Sequence, residues 1–424
     1  MTAPADQHGR GAPAGQQPGS LRGLRVVEIG TSVAAPMAGQ ILGDLGADVV
    51  KVERVGRGDD SRTWAPPDWD GTSVTFLALN RNKRSLALDY KDPRGRRVLE
   101  DLIQRADVLV HNLRPGALAA AGFGADELRR LNPRLINIEM TGFGPQGPRA
   151  GQPGYDPLLQ AYSGIVSITG QDTGPPSRVP VSLLDMGTGM WAVLAVYEAL
   201  RRRDVTGQGC HVQLSLLQTA LTWLSMPLLT VLSGNPAPVR LGSGLAGVVP
   251  YGAYPASDGY VFISAGNDAA WARLCLALDA GHLQDTDGFR TNGERVRARA
   301  IVDAELGAVT SGFTTAEVLE RLGAAGVPCA PVQTLTQVVA DEQVAAVGAI
   351  SPLPHEQVAG FSVINLPVLF DGAYLPHQAA PPALGNGTAA VLADLGRSPD
   401  EVGELVRDNV VQLAEAASQP AVTP

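Results

Sequence analysis

Asp185 heads the long apolar stretch VSLLDMGTGMWAVLAVYEAL, and no other residue is as well placed for covalent chemistry. No Ser/His/Asp set is legible, and no histidine pair stands at metal-ligand spacing. His111, His211, His282, His355 and His377 are dispersed and read as surface or satisfied buried residues. A carboxylate is a weak nucleophile in water. It becomes effective when desolvated beside a good electrophile such as a thioester. The competing reading of Asp185 is structural, because an aspartate before an apolar periodic run is a common helix N-cap.

Such a carboxylate needs a scaffold to hold it. The 424 residues suggest about two domains. A composition of 45% hydrophobic and 18% charged residues is that of a globular protein. The net charge of −9, with no basic block to offset it, argues against nucleic acid as a partner but leaves room for an anionic ligand held by local Arg and Lys. Cys210, Cys275 and Cys329 fit neither a zinc pattern nor a disulfide framework, so a reducing cytoplasm is expected. No apolar run reaches the roughly 18 residues that span a bilayer, so no membrane role is expected. The first 20 residues lack the apolar core of a signal peptide and read as a disordered tail.

Strand and helix signals alternate from residue 24 onward: LRVVEIG, PMAGQILGDLG, ADVVKVE, then DPRGRRVLEDLIQRA, DVLVHN, ADELRRLN and RLINIEM. This spacing predicts an α/β fold with a doubly wound, Rossmann-like parallel sheet. A helix is expected from Asp185 to about Arg203, then the strand HVQLSL and one helix through LLQTALTWLSMPLLTVL. The Gly/Pro-rich run SGNPAPVRLGSGLAG reads as a linker. Beyond it, a hairpin turning at Ser-Asp-Gly and helices near 268–279, 296–311 and 315–325 mark a smaller α+β domain over 238–330. The expected division is 1–20 tail, 21–225 large domain, 238–330 small domain, and 331–424 linker and return to the large domain, with a last helix near 399–416.

A dinucleotide site is a false lead. Glu53 lies 23 residues after Gly30, near the spacing of a ribose-binding acid, but the turn GTSVAAPMAG lacks G-x-G-x-x-G. The literal match at Gly142, Gly144 and Gly147 is interrupted by Pro145 and Pro148, and no helix follows to bind a pyrophosphate. Asn112 and Arg114 come directly after the strand DVLVHN, where residues of a doubly wound sheet line the ligand crevice. Arg81 and Arg84 read either as ligand contacts or as a solvated hairpin face.

Several ordered segments resemble the class III CoA-transferases, the formyl-CoA transferase and carnitine CoA-transferase family. They are LRGLRVVEIG, PMAGQILGDLGADVVKVER, NRNKRSLALDYK, ADVLVHNLRPG, LNPRLINIEMTGFGPQGP, GYDPLLQAYSG, VPVSLLDMGTG and AGVPCAPVQ, and they span nearly the whole chain beyond its tail. The resemblance implies an interlocked homodimer and makes Asp185 the nucleophile, passing through an aspartyl anhydride and an aspartyl-CoA thioester. It implies coenzyme A as an acyl-CoA substrate, with no tightly bound cofactor and no metal. The CoA contacts it implies are Val33, Ala34, Arg54, Leu88, Lys91, Asn112, Leu113, Arg114, Tyr155 and Asp156, with Arg54, Lys91 and Arg114 suited to phosphates.

There are departures from the family pattern. Ala120 stands where formyl-CoA transferase has a phosphate-directed arginine, and Pro153 where it has a lysine; Arg149 is the residue at hand to compensate. The sister branch of 2-methylacyl-CoA racemases carries a histidine at the place of Tyr155, and an unperturbed tyrosine is a poor base near neutral pH. That racemase and a catalytically inactive acyl-CoA-binding protein are the alternatives. The segment VRLGSGLAGVVPYGAYPASDGYVFISAGNDAAWARLC is similar to the succinyl-CoA:dicarboxylate branch, so a dicarboxylate acceptor is expected.

Overall fold

The alternating signals of the first half form a parallel sheet in the computed structural model, which describes residues 19–414. The expected tail lies outside the described residues except for Gly19 and Ser20. These two are fixed: Gly19 packs on the Leu45 carbonyl, and Ser20 Oγ lies 3.1 Å from the Tyr197 hydroxyl.

In chain order the first stretch runs β1 (Arg25–Ile29), α1 (Ala34–Asp44), β2 (Asp48–Glu53), β3 (Lys83–Leu88), α2 (Pro93–Arg105), β4 (Val108–His111), α3 (Ala125–Leu131) and β5 (Ile136–Thr141). There follow α4 (Asp156–Ser163), α5 (Leu183–Thr206), β6 (Cys210–Ser215), α6 (Leu216–Trp223) and α7 (Ser225–Leu232). Next come β7 (Tyr251–Ala256), β8 (Gly259–Ser264), α8 (Asp268–Ala277), α9 (Arg299–Thr310), α10 (Thr315–Ala324) and β9 (Cys329–Pro331). The chain closes with α11 (Thr388–Asp394), α12 (Pro399–Arg407) and β10 (Val411–Gln412). Two compact units result. One comprises residues up to Asp156, Ser182–Thr219 and from Gly348 on; the other is Pro157–Val181 with Ala220–Val347, set against an expected small domain of 238–330.

The first unit is a seven-stranded sheet in the order β10-β3-β2-β1-β4-β5-β6, parallel except for β10. The chain moves outward from β1 through β2 to β3, then crosses back to place β4 on the other side of β1. That reversal opens a crevice at the carboxyl ends of β1 and β4. On one face Val27, Val52, Leu86 and Leu109 pack with Leu99 and Ile103 of α2 and Leu405 of α12. On the other, Val26, Val49, Val110 and Ile138 pack beneath Ala38 and Leu42 of α1 and Ala192 and Val196 of α5. Burial on both faces is why these strands read as apolar runs.

Within the α1-side face runs a set of buried charges that the sequence did not suggest. Lys51 Nζ lies 2.7 Å from Glu28 and 2.8 Å from Asp59; Lys83 Nζ lies 2.8 Å from Glu28; and Arg62 lies 2.7 Å from Glu53. The helix above makes room, since a Cβ on Gly39 would come within 2.0 Å of Glu28 Oε2. Arg81 is no solvated hairpin residue, because β3 is an interior strand and Arg81 is buried in a bidentate pair with Asp44. Arg84 pairs with Asp48 and Asp394.

Three further expectations need correction. The single helix over 216–232 breaks at Leu224, because Pro227 has no N–H to give the Trp223 carbonyl. The last helix stops at Arg407, and the chain then adds β10 to β3. By length and composition α5 is the one helix among the described residues able to cross a membrane; nearly half of the qualifying window is buried.

In the second unit β7 and β8 form the expected hairpin, and β9 adds to β8 antiparallel. Asp258 in the turn accepts both the N–H and the hydroxyl of Thr315 at 2.7 Å, fixing α10 against the hairpin. Trp271, Leu274, Val302, Leu306, Val318 and Leu322 make its core.

Gly39→Ala should force the pinned Glu28 carboxylate off its two lysines. The expected loss is about 1–3 kcal/mol, seen as a melting temperature several degrees lower. A melting temperature equal to that of the parent would show that the charges have slack.

Candidate active site

Asp185 is the third residue of α5, so it is not the cap. The cap position, Ser182, offers no side-chain bond. Instead Asp156 Oδ2 accepts the amides of Leu184 at 2.6 Å and Asp185 at 3.2 Å. Asp156, 2% exposed, thus supplies the acceptor that the helix end requires. The Asp185 carboxylate is left over: half-buried, it has no hydrogen bond or ion pair among the described residues. Burial, and then the negative charge of Asp156, push its carboxyl up to about 7. A helix N-terminus favours the anion, but with no donor aimed at the oxygens, desolvation wins. Such a carboxylate, once ionised, is poorly solvated and nucleophilic.

The helix is set close to the crevice by small residues. At Gly189 a Cβ would stand 2.9 Å from the Ala34 carbonyl and 3.0 Å from Met37 Cβ, so α5 touches the first turn of α1. Asp185 lies four residues back on the same face of α5, about 6 Å along the axis.

The turn between β1 and α1 is clamped. Asn112, just past β4, accepts from Thr31 N–H at 3.0 Å and donates to the Thr31 carbonyl at 2.8 Å. Asp59 accepts the Ser32 N–H at 3.0 Å, and Lys51 donates to the Gly30 carbonyl at 2.9 Å. Val33 and Ala34, both buried, come next and open α1.

Of the other residues implied to touch CoA, Arg54, Leu88, Lys91, Leu113 and Arg114 fall at or just past the carboxyl ends of neighbouring strands, while Tyr155 and Asp156 lie at the start of α4. Arg54 follows β2, half exposed, its guanidinium held by the Gly58 carbonyl and Asp60. Lys91 is exposed in the turn after β3, and Leu113 and Arg114 follow Asn112 after β4. Leu88 is 1% exposed in the core, so only its main chain faces outward. Tyr155 is exposed, beside the buried Asp156. Arg149 is exposed and donates to Gln152 at 2.9 Å. Among the described residues no group of His, Cys, Asp and Glu side chains is gathered for a metal.

Two residues escaped the sequence reading in these roles. The capping function of Asp156 was signalled only by its Asp-Pro step, which starts α4. Asp59 caps the short helical turn after it, and nothing in GDDSR revealed its reach to Ser32 and Lys51.

The model for CoA-transferase family III matches residues 21–388. The chain is 35% identical over 396 residues to the succinyl-CoA:glutarate CoA-transferase of Homo sapiens, covering 93% of this chain and 90% of that protein. It is 35% identical over 381 residues to the succinate–glutarate CoA-transferase of Agrobacterium fabrum, covering 88% and 95%. The crystal structure of a CAIB/BAIF family protein from Brucella suis superposes with a TM-score of 0.83 at 36% identity, covering 89% of this chain and all of that one.

The position of Asp185 carries a pH signature. Its carboxyl titrates at about 7 when folded and at the ordinary 3.8 when unfolded. The stability that the neutral group allows is therefore full below the lower value, erodes between the two, and is lost above the higher. Asp185→Asn should match the parent in melting temperature near pH 4 and exceed it above pH 7. A difference independent of pH would refute the shifted carboxyl.

Proposed function

We propose, from the premise that the chain belongs to CoA-transferase family III and moves CoA between an acyl-CoA and a carboxylic acid, that Asp185 carries the acyl group covalently. The observation that carries this reading is its unengaged, desolvated carboxylate on α5, four residues before the point where that helix meets the first turn of α1. An Asp185 oxygen attacks the thioester carbonyl, the C–S bond breaks, and CoA leaves as thiolate, giving a mixed anhydride. The thiolate attacks the aspartyl carbonyl, frees the donor's carboxylate and forms an aspartyl-CoA thioester. The acceptor carboxylate attacks that thioester, expelling thiolate and making a second anhydride. Thiolate attack on its acceptor carbonyl then yields the new acyl-CoA and the free Asp185 carboxylate. Each step exchanges one carboxylate or thiolate for another and consumes no proton. Positioning and exclusion of water are what the protein must supply.

CoA spans the crevice at the carboxyl ends of β1 to β4, its phosphates met by Arg54, Lys91 and Arg114 and its thioester end directed to Asp185. Succinyl-CoA as donor and a dicarboxylic acid such as glutarate as acceptor are the substrates that the named relatives support. The free thiols of Cys210, Cys275 and Cys329 support a reducing, cytoplasmic setting. A homodimer is supported by an apolar row on α5: Met186, Met190 and Leu194, four residues apart and 38%, 51% and 58% exposed.

Asp185→Ala should keep its affinity for CoA and lose essentially all transfer from succinyl-CoA to glutarate. Hydroxylamine added during turnover of the parent should convert Asp185, and no other carboxylate, to the hydroxamate, read by mass spectrometry. Turnover of the variant near the parent's rate would sink the covalent route. Rapid deuterium exchange into a 2-methylacyl-CoA without CoA transfer would favour a racemase.

Met190→Glu tests the row on α5. A charge there should lower the sedimentation coefficient from dimer to monomer. A parent that sediments as a monomer would remove the dimer.

A further inference from the structure

The β1–α1 turn is held by groups that take no part in the acyl chemistry. Ser32 sits at φ 71°, in the left-handed region that a residue with a Cβ avoids at a cost of roughly 1–2 kcal/mol. Its N–H is fixed by Asp59 Oδ1 at 3.0 Å, which also takes the Ser61 N–H and hydroxyl at 2.8 Å each. Asp59 Oδ2 lies 2.8 Å from Lys51 Nζ, and the same ammonium holds the Gly30 carbonyl and Glu28. Asp59 is 1% exposed and Lys51 fully buried, so water competes for neither. Burial alone would raise the Asp59 carboxyl, yet Lys51 keeps it below its ordinary range and hence ionised. Four successive polar groups of the turn, from the Gly30 carbonyl to the Ser32 N–H, are each met by a side chain from another element.

We propose that Asp59 is a positioning residue for CoA transfer: through Ser32, and anchored by Lys51, it locks the β1–α1 turn in the shape that receives acyl-CoA. This rests on the reading of Val33 and Ala34 as part of the CoA site. Asn112 fixes Thr31 alone, and only Asp59 imposes the left-handed residue that aims the chain into α1. Without it, Ser32 relaxes toward negative φ and the turn no longer presents the same surface to the cofactor.

The test compares the full-length parent with Asp59→Ala, Asp59→Asn and the double variant Asp59→Ala/Ser32→Gly. Asp59→Ala should raise the Kd for free CoA and the KM for succinyl-CoA about ten-fold, the effect of one lost hydrogen bond, with a smaller change in kcat and none in the acceptor KM. Ser32→Gly should restore CoA affinity in the double variant, because glycine takes positive φ without a Cβ penalty, while leaving the melting temperature unrestored. A merely structural Asp59 would show the opposite: affinity falling with melting temperature and no rescue by glycine. Asp59→Asn keeps the acceptor oxygen and loses the charge; it should fold and fall between parent and Asp59→Ala, and it serves if the alanine variant fails to fold. Hydrogen exchange over residues 30–37 separates the two layers. Protection of these amides by CoA in the parent, with Kd unchanged in the folded variants, overturns the positioning role alone. No protection in the parent overturns the CoA-site reading and the proposal with it.

Discussion

Lys51 is the residue on which the large unit turns. It stands fully buried in the sheet beneath α1, between Glu28 and Asp59. With Lys83, Arg62 and Glu53 these groups make three cations and three anions, a balanced set inside a face that would otherwise be packed with valine and leucine. Such a set adds little net stability over an apolar core, but removing one member leaves a buried charge unpaired, at about 3–5 kcal/mol. What it provides is fixed geometry. Burial draws Lys83 below the ordinary lysine range even with Glu28 beside it. Ser85 joins the set through Glu53 at 2.6 Å and takes the Gly385 N–H at 2.9 Å, while Arg62 donates to the Pro382 carbonyl. The same charges therefore hold the crevice turn and the returning C-terminal segment.

Two aspartates at the head of α5 divide opposing tasks. Asp156 is buried and accepts two main-chain amides of the helix end. Asp185 gives its own amide to that cap, but its carboxylate receives nothing and is pushed toward neutrality by burial and by its neighbour. Had Asp185 capped its own helix, its lone pairs would be committed. Delegating the cap to another segment leaves the Asp185 oxygens uncommitted and the helix end intact.

The sequence made the frame legible because strands β1, β2, β4 and β5 are rich in valine, isoleucine and leucine and buried on both faces, and helices separate them. Asp185 was legible through the long run of α5, and its competing reading as a cap was removed only when Asp156 appeared in that place. Less was visible where side chains answer to distant partners. RNKR looks like a solvated turn in one dimension, yet Arg81 and Lys83 are core residues because Asp44 and Glu28 await them from other elements. Leu88, matched as a ligand contact, is a core leucine whose main chain alone is available. The split at Leu224 was legible in principle, since Pro227 stands in plain sight. Ser32 was not: nothing in GTSVAAP marks the one non-glycine turn residue held left-handed by an acid 27 positions away.

Strand β10 bears on how the chain is made. Val411 and Gln412 cover the outer edge of β3, and Gln412 also accepts the Gly56 N–H from 356 positions away. On the ribosome, β3 therefore emerges with one row of amides open and stays so while more than three hundred further residues are added. An uncovered edge of this kind invites pairing with another nascent chain, and contacts of such separation close slowly. The lysine and arginine at the head of β3, Lys83 and Arg84, make that open edge a poor template for aggregation during the wait.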